Sequence, residues 1–309
     1  MRLAAIDVGT QSVKLSVATL MPDGSIRIVE RRRVPSQFPS SEGGAVLGAT
    51  AIAHVVECVA EACASARSLG ADRVRAIGTS GVREAADASA LQTAISEACG
   101  VELQVVTGEE EALLVWDAVA AGLTDGECSV MVDVGGGSTE MVLGQGRCAK
   151  RVVSMPMGAV RCADRFSMRG GMTLRARLEL EDWVDGHLRE AGAPTLEGVG
   201  SVIATGGTVT VLAMLAHFGM PLPHNPPAEA VRGATLSAAS VRRSIDAIVS
   251  MNPDRRMAET GLSTSRSDVI VPGAVILLQT LRWIGAETCS VSEVGLRDGV
   301  LRRMAAEVL

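Results

Sequence analysis

A six-residue pattern occurs twice in this chain and limits the folds open to it. The pattern D-V-G-x-x-S appears at 7–12 and again at 133–138, which is 126 positions later. Each copy lies between two apolar runs of the kind that form strands, so both copies predict a strand–turn–strand unit. A motif repeated in the same context indicates duplication, and we therefore expect two halves built on one plan.

The order of predicted elements supports this division. In the first half, three strand-like runs precede a helix at about 46–69, two more strands with a helical stretch between them, and a helix at 109–121. After the glycine-containing segment 122–126, three strand-like runs begin again and alternate later with helices. Alternating elements of this kind predict an α/β fold with mixed sheets. We expect residues 1–124 to form the first domain and residues 125–309 the second.

Composition excludes several classes of protein. The net charge is −6 and the chain has no Tyr, three Trp and three Phe, which disfavours nucleic-acid binding by charge or base stacking and disfavours a charged membrane surface. The seven cysteines form no C-x-x-C pair, as expected of reduced thiols. The N-terminus has no signal-peptide core. We expect a cytoplasmic protein with neither a nucleic acid nor a membrane as its partner.

Both repeated turns have the residues of an anion site. Glycines such as Gly136 and Gly137 let backbone N–H groups converge on a phosphate, and Ser12 and Ser138 add hydroxyl donors. The aspartate that ends each preceding strand is suited to hold a hard cation beside the phosphate. A single turn of this type is more often an ordinary glycine hairpin. Two matching turns favour a clamp for a polyanion.

Other segments leave alternatives open. Gly206 and Gly207 lie between a strand and a helix, where they form a second anion site or simply a packing contact. Glutamates 109–111 open a helix and either suit its dipole or supply a base that activates water. Arg83 follows a strand and either reaches a phosphate or lies on the surface. The stretch 147–177 has eight basic residues and one acid, and it either guides a polyanion or forms a solvated face.

Six motifs together resemble one known family. They are A-I-D-V-G-T-Q-S-V-K-L at 5–15, G-T-S-G-V-R-E-A-A-D at 78–87, G-E-E-E-A-L-L at 108–114, V-D-V-G-G-G-S-T-E-M-V at 132–142, A-T-G-G-T at 204–208 and V-P-G-A-V-I-L at 271–277. In this order they resemble the exopolyphosphatase and guanosine pentaphosphate phosphatase family of the actin/hexokinase/Hsp70 superfamily. The resemblance implies two actin-like (ribonuclease H-like) lobes, each with a five-stranded mixed sheet, and a cleft between them. The resemblance is also compatible with packing of the last helix, about 298–309, on the first lobe.

The resemblance further implies a reaction and residue roles. The expected reaction is hydrolysis of terminal phosphoanhydride bonds in polyphosphate or guanosine pentaphosphate, with Mg²⁺ or Mn²⁺. Glu111 matches the catalytic base, and Asp133 and Glu140 match further catalytic carboxylates. The expected metal ligands are Asp133, Asp7 and Glu140. The expected substrate contacts are Thr10, Gln11, Ser12, Lys14, Arg83, Gly136, Gly137, Ser138, Thr139, Gly206 and Gly207.

Two positions depart from the family pattern. Gln11 and Asp87 both stand where the family usually has Asn, which bears on substrate preference. Longer family members carry an additional C-terminal helical region, whereas this sequence ends at Leu309 without it. We therefore expect short polyphosphates or guanosine pentaphosphate to be preferred.

The rival functions are an ATP-dependent sugar or acetate kinase and a sensor that binds polyphosphate or an alarmone without turnover. A homodimer also stays open.

Overall fold

The computed structural model describes residues 1–36, 45–169, 171–195, 199–224 and 226–309. Its strands are β1 (Arg2–Val8), β2 (Ser12–Leu20), β3 (Ile26–Pro35), β4 (Arg73–Gly78), β5 (Leu103–Val105), β6 (Cys128–Val134), β7 (Thr139–Gln145), β8 (Cys148–Met155), β9 (Ser201–Thr205), β10 (Thr235–Ser237) and β11 (Thr288–Val291). Its helices are α1 (Gly48–Ser68), α2 (Ser80–Arg83), α3 (Ala88–Cys99), α4 (Gly108–Val119), α5 (Ala159–Arg165), α6 (Leu174–Glu190), α7 (Gly207–Phe218), α8 (Ala238–Val249), α9 (Pro253–Thr260), α10 (Thr264–Ser267), α11 (Ile270–Ile284) and α12 (Leu296–Ala306).

The chain divides into two compact units. The first contains Met1–Ala118 together with Leu296–Leu309, and the second contains Val119–Gly295. The sheet of the first unit has five strands in the order β3-β2-β1-β4-β5. Its first three strands pair antiparallel, and β4 and β5 run parallel to β1. The expected mixed five-stranded sheet is therefore confirmed for this unit.

Helices cover both faces of the first sheet because side chains along a strand alternate between faces. On β1, Ala4 and Ile6 pack in a core with α1 and α3, whereas Leu3 and Ala5 pack with α4 and α12. Helix α12 buries Val300, Leu301 and Met304 there, and burial of three such side chains contributes about 5–9 kcal/mol. At Gly299 a Cβ atom would collide with the backbone of α4, so glycine permits the close crossing of these two helices.

The second unit repeats this plan with one addition. Its sheet has six strands in the order β10-β11-β9-β6-β7-β8. Strands β6, β7 and β8 pair antiparallel, and β9 and β11 continue the sheet in parallel. One large core joins this sheet to α6, α7, α8 and α11. The expectation of five strands was wrong here, because β10 is only three residues long and too short to show an alternating pattern.

The pairing registers show the internal duplication directly. Asp7 lies opposite Lys14 in the first sheet, and Asp133 lies opposite Glu140 in the second. In both units the glycine that follows the aspartate-containing strand donates its amide to the carbonyl of the serine three residues later. All of these equivalent positions are 126 residues apart. The sequence repeat therefore corresponds to a repeat of backbone geometry.

Within the described ranges, two helical segments are long and apolar enough to cross a membrane if length and composition alone are considered. In the segment Thr264–Ile284, 83% of the most apolar window is buried inside the protein, as expected of a core helix. The other segment is α1, for which the buried share is 33%. This is weak evidence for a membrane span.

Candidate active site

The first repeated turn is a tight, buried structure at one end of the first sheet. The amide of Gly9 donates to the carbonyl of Ser12 at 3.2 Å, and the hydroxyl of Ser36 donates to the carbonyl of Gly9 at 3.1 Å. Thr10 and Ser12 are buried beside this turn. Gly81 must be glycine because a Cβ atom there would lie 2.9 Å from the Thr10 hydroxyl. The start of α2 is thereby held against the turn.

Asp7, the aspartate of the first turn, forms an ion pair with a lysine side chain. Lys14 Nζ lies 2.9 Å from Asp7 Oδ2, and the Asp7 side chain is almost fully buried. Because the two residues are directly opposite in the β1–β2 register, the ion pair is set by the sheet itself. The ammonium group balances the charge of Asp7 next to the turn.

Arg83 and Glu111 come from separate helices and meet in the first unit. Arg83 Nη1 donates to Glu111 Oε2 at 3.1 Å and to the carbonyl of Val106 at 2.9 Å. Both bonds use Nη1, and the described part of the chain shows no hydrogen bond from Nε or Nη2 of this guanidinium. A predicted phosphate ligand and the predicted base are thus in contact.

The neighbouring glutamates have different surroundings. Glu110 forms a capping box with Thr107: it accepts from the Thr107 amide at 2.8 Å, and its own amide donates to the Thr107 hydroxyl at 3.1 Å. These hydrogen bonds hold the pKa of Glu110 below its usual value. Glu109 is exposed. Of the three glutamates, Glu111 is the one that contacts Arg83.

The second turn is fixed through its carbonyl oxygens. The carbonyls of Gly135 and Gly136 accept from the amides of Ala159 and Val160 at the start of α5, at 2.9 and 2.8 Å. Among the described residues, the turn's backbone bonds do not use the amides of Gly136 or Gly137. That these two N–H groups bind an anion stays a prediction.

Arg161 is a part of this turn that sequence reasoning missed. Its Nε donates to the carbonyl of Gly137 at 2.8 Å, and the residue is only 9% exposed. It belongs to the stretch 147–177, for which the sequence left both a polyanion guide and a solvated face open. The only local signal was Gly158, where a Cβ atom would collide with the backbone of Gly136 and Gly137. Close packing of α5 on the turn brings Arg161 there.

Two carboxylates lie side by side in the second sheet. Asp133 on β6 is directly opposite Glu140 on β7, and Glu140 Oε1 accepts from the Ser154 hydroxyl at 2.8 Å. Like charges directly opposite one another destabilise a sheet, and a divalent cation would offset that repulsion. Among the described residues, no group of three or more His, Cys, Asp or Glu side chains could hold a metal ion. A Mg²⁺ ion held by one or two carboxylates and substrate phosphates needs no such group.

The third glycine element lies against Asp133. Gly206 has φ +102°, and a Cβ atom there would be 2.6 Å from the Val134 carbonyl and 2.7 Å from Asp133 Oδ1. Gly207 begins α7, and the Thr205 hydroxyl donates to the Val294 carbonyl at 2.7 Å. The end of β9 therefore lies against the second turn.

Three predicted residues have structural partners. The hydroxyl of Thr139 donates to the Met157 carbonyl, and Thr139 is fully buried. The Gln11 side-chain oxygen accepts from Arg33 Nη2 at 3.1 Å. Asp87 accepts from the amides of Leu47 and Gly48 at 2.8 and 3.0 Å, where α1 begins. The aspartate at position 87 thus has a helix-capping role.

Ion pairs neutralise much of the basic stretch 147–177. Arg169 pairs with Asp164 at 2.5 Å and lies 3.9 Å from Asp268. Arg175 pairs with Glu179, while Arg177 pairs with both Glu181 and Asp246. Most of these acids follow the stretch in sequence. The stretch is therefore less basic in the folded protein than its composition suggests.

Comparison with known proteins identifies relatives along the whole chain. The profile of the Ppx/GppA phosphatase family matches residues 23–308. Exopolyphosphatase 1 of Mycobacterium leprae is 28% identical over 313 residues, which cover 99% of this chain and 91% of the relative. A putative exopolyphosphatase of Haemophilus influenzae is 24% identical, with coverage of 97% and 90%.

Solved structures of similar proteins also match nearly the whole chain. The crystal structure of the Aquifex aeolicus member of the Ppx/GppA family is 27% identical, has a TM-score of 0.83, and is matched over 100% of this chain and 98% of that one. An exopolyphosphatase from Cytophaga hutchinsonii has a TM-score of 0.88 over 99% and 98% of the two chains. Its identity is 22%, so it supports the fold alone.

Proposed function

Because this chain belongs to the Ppx/GppA phosphatase family, we propose that it is an exopolyphosphatase that removes terminal phosphates from inorganic polyphosphate by hydrolysis. The curated relatives named as exopolyphosphatases, matched over nearly their full length, support this activity. Its second support is the 3.1 Å contact between Glu111 and Arg83, a carboxylate beside the guanidinium that we assign to phosphate binding. Hydrolysis needs this combination, since a water has to be activated beside the phosphorus atom it attacks.

In the proposed mechanism, the residues of the first unit bind the terminal phosphoryl group and activate water. Lys14 and Arg83 neutralise phosphoryl oxygens, and the amides of the first turn orient them. Glu111 accepts a proton from the attacking water as its oxygen bonds to phosphorus. The P–O bond to the rest of the chain breaks, and the shortened polyphosphate leaves as an anion. A positioned general base contributes about 10²–10⁴-fold to the rate.

Asp133 and Glu140 of the second unit are the residues we propose for Mg²⁺ or Mn²⁺. Their carboxylates are the hard oxygen ligands that these ions prefer. When bound, the ion would neutralise charge on the phosphate oxygens. Asp7 is a weaker candidate, because the equivalent position to Glu140 is Lys14 and the ammonium already pairs with Asp7. Gly136, Gly137 and Ser138 would add donors to the phosphate oxygens.

A phosphate-release assay separates this proposal from its rivals. The protein is incubated with polyphosphate, guanosine pentaphosphate or ATP together with Mg²⁺, and orthophosphate is measured without any acceptor. Release from polyphosphate supports a phosphatase. Turnover only with an added acceptor would show a kinase, and tight binding of polyphosphate without release would show a sensor. Either of these two results contradicts the proposal.

Several finer points are also proposals. Guanosine pentaphosphate is a second candidate substrate, since its terminal phosphoanhydride presents the same reacting group. A cytoplasmic location rests on the cysteine pattern, which is that of reduced thiols, and the absence of nucleic-acid and membrane partners rests on net charge and aromatic content. Light scattering of the purified chain would decide between a monomer and a homodimer.

A further inference from the structure

The segment that follows the third strand of each unit binds carbonyl oxygens of the glycine turn. In the second unit this segment leads from β8 into α5. The amide of Ala159 donates to the Gly135 carbonyl at 2.9 Å, and Arg161 Nε donates to the Gly137 carbonyl at 2.8 Å. The start of α5 therefore holds the first and the third carbonyl of the second turn.

In the first unit the corresponding segment begins with Ser36, a buried residue directly after β3. The Ser36 hydroxyl donates to the Gly9 carbonyl at 3.1 Å, and the Ser36 amide donates to the Gln11 carbonyl at 3.3 Å. Gly9 and Gln11 precede Gly135 and Gly137 by 126 positions. The same two carbonyls of the repeated pattern are thus bound in both units, although the donors differ in chemistry.

These bonds to carbonyls fix the directions of the turn amides. In a trans peptide, the C=O of one residue and the N–H of the next point to opposite sides of the chain. Donors on the Gly135 and Gly137 carbonyls therefore turn the N–H groups of Gly136 and Ser138 away from α5. The amide of Val160 donates to the Gly136 carbonyl at 2.8 Å and does the same for the N–H of Gly137. Three successive N–H groups facing one side form an anion-binding nest.

Arg161 is the side-chain part of this support. Residues 135–137 are all glycine, so their peptides rotate easily unless partners hold them. Backbone amides of α5 hold the Gly135 and Gly136 carbonyls, whereas the Gly137 carbonyl accepts from the Arg161 guanidinium. The direction of the Ser138 N–H therefore depends on the residue at position 161.

We propose that Arg161 is a positioning residue, which orients the peptide between Gly137 and Ser138 so that the Ser138 amide binds a phosphoryl oxygen, and that Ser36 has the equivalent role in the first turn. This inference rests on the proposed function, which supplies the phosphate. Arg161 is only 9% exposed and acts through the carbonyl that it binds. Its guanidinium need not touch the substrate.

The test is NMR of the ¹⁵N-labelled full chain, titrated with methylenediphosphonate and Mg²⁺. This probe has two linked phosphoryl groups that cannot be hydrolysed apart. In the wild type, the amide signals of Gly136 and Ser138 should both shift on binding. In Arg161→Met the Ser138 shift should be lost and the affinity should fall about tenfold, while the Gly136 shift remains because Ala159 still holds its peptide. Arg161→Lys should restore part of the Ser138 shift, since an ammonium also donates to a carbonyl.

Two results of this titration would overturn the role of Arg161. One is the absence of a Ser138 shift in the wild type. The other is an equal loss of the Gly136 and Ser138 shifts in Arg161→Met, which would show general disruption of the turn.

Arg165→Met is the matched control, since it makes the same change one helical turn later on α5. The Arg165 guanidinium lies over the rings of Phe166 and Trp183, at 6.0 and 5.5 Å from their centroids. This variant should bind the probe as the wild type does. Repeating the titration at low and high ionic strength separates positioning from direct contact, because salt screens a charge that touches the ligand. A loss in Arg161→Met that shrinks at high salt would contradict positioning.

Ser36→Ala keeps the question decidable if Arg161→Met does not fold. It removes the hydroxyl that holds the Gly9 carbonyl and leaves the amide bond to the Gln11 carbonyl in place. The ligand-induced shift of the Thr10 amide should therefore fall, and that of the Ser12 amide should stay. Unchanged shifts at both amides, or equal losses, would contradict the role of Ser36.

The outcome is separable from that of the proposed function. If the protein releases no phosphate but Arg161→Met loses the Ser138 shift alone, positioning is supported and the enzymatic proposal fails. If the protein releases phosphate and the Ser138 shift survives in Arg161→Met, the enzymatic proposal stands and the role of Arg161 is contradicted.

Discussion

Three consecutive glutamates show how neighbouring residues acquire different roles. Successive side chains on a helix point about 100° apart, so only one of Glu109, Glu110 and Glu111 can face Arg83. The sequence predicted that these residues open a helix but could not assign the directions, because those depend on where the helix begins. The capping box of Thr107 with Glu110 fixes that start and turns Glu111 towards Arg83.

Asp7 and Asp133 occupy equivalent positions, but Asp7 lies opposite the cation Lys14 and Asp133 lies opposite the acid Glu140. This difference is testable. We expect Asp133→Asn to raise the Mg²⁺ concentration for half-maximal phosphate release about tenfold or more, because an amide is a poorer ligand for a hard cation. Asp7→Asn should change it much less, since Lys14 already provides a cation there. The measurement is a Mg²⁺ titration of activity for both variants. A larger shift for Asp7→Asn would place the metal in the first unit instead.

At the scale of single elements, most strands and helices were predictable and their caps were not. Helix α1 was predicted at about 46–69 and spans Gly48–Ser68, since its apolar spacing is regular. Its N-terminus is held by Asp87, which is 39 residues away. No local pattern could predict that contact. Helix α9 was not predicted, although Asn252 and Pro253 form a recognisable start signal.

The capping role of Asp87 predicts a pH dependence. Hydrogen bonds from the amides of Leu47 and Gly48 lower the pKa of Asp87. A lowered folded-state pKa gives stability that is present above the unfolded pKa, near pH 4, and is lost as the pH falls through the folded value. Asp87→Asn should therefore lower the melting temperature at pH 7, and the difference from wild type should shrink as the pH falls below about 4. A difference that stays constant from pH 7 to pH 3 would show that the carboxylate charge is irrelevant.

For the whole molecule, the repeat predicted the doubled plan but not the charges around it. The sequence placed both glycine turns and predicted a mixed five-stranded sheet in the first unit. It could not predict that Arg169, Arg175 and Arg177 would form ion pairs, because partners such as Glu179, Asp246 and Asp268 come from α6, α8 and the segment before α11. The charges along a sequence predict the surface potential only when the residues that lie beside them in the folded protein are known.

These ion pairs predict a weak dependence on polyphosphate length. With Arg169, Arg175 and Arg177 paired, phosphates beyond the site should meet little unbalanced positive charge, and exposed contacts are screened by salt. We expect kcat/KM to change little between short and long polyphosphates at both low and high ionic strength. A steep rise with length that collapses at high salt would reveal an extended basic track.

The central claim is that this protein hydrolyses polyphosphate with Glu111 as the base. The most direct measurement is the rate of orthophosphate release from tripolyphosphate and Mg²⁺, without an acceptor, by the wild type, Glu111→Gln and Glu110→Gln. Glu111→Gln should lower kcat about 10²–10⁴-fold with a similar KM, because it keeps the shape but not the base. Glu110→Gln should stay near wild type, since glutamine preserves the capping box. A Glu111→Gln variant that keeps more than about a tenth of wild-type kcat would contradict the account.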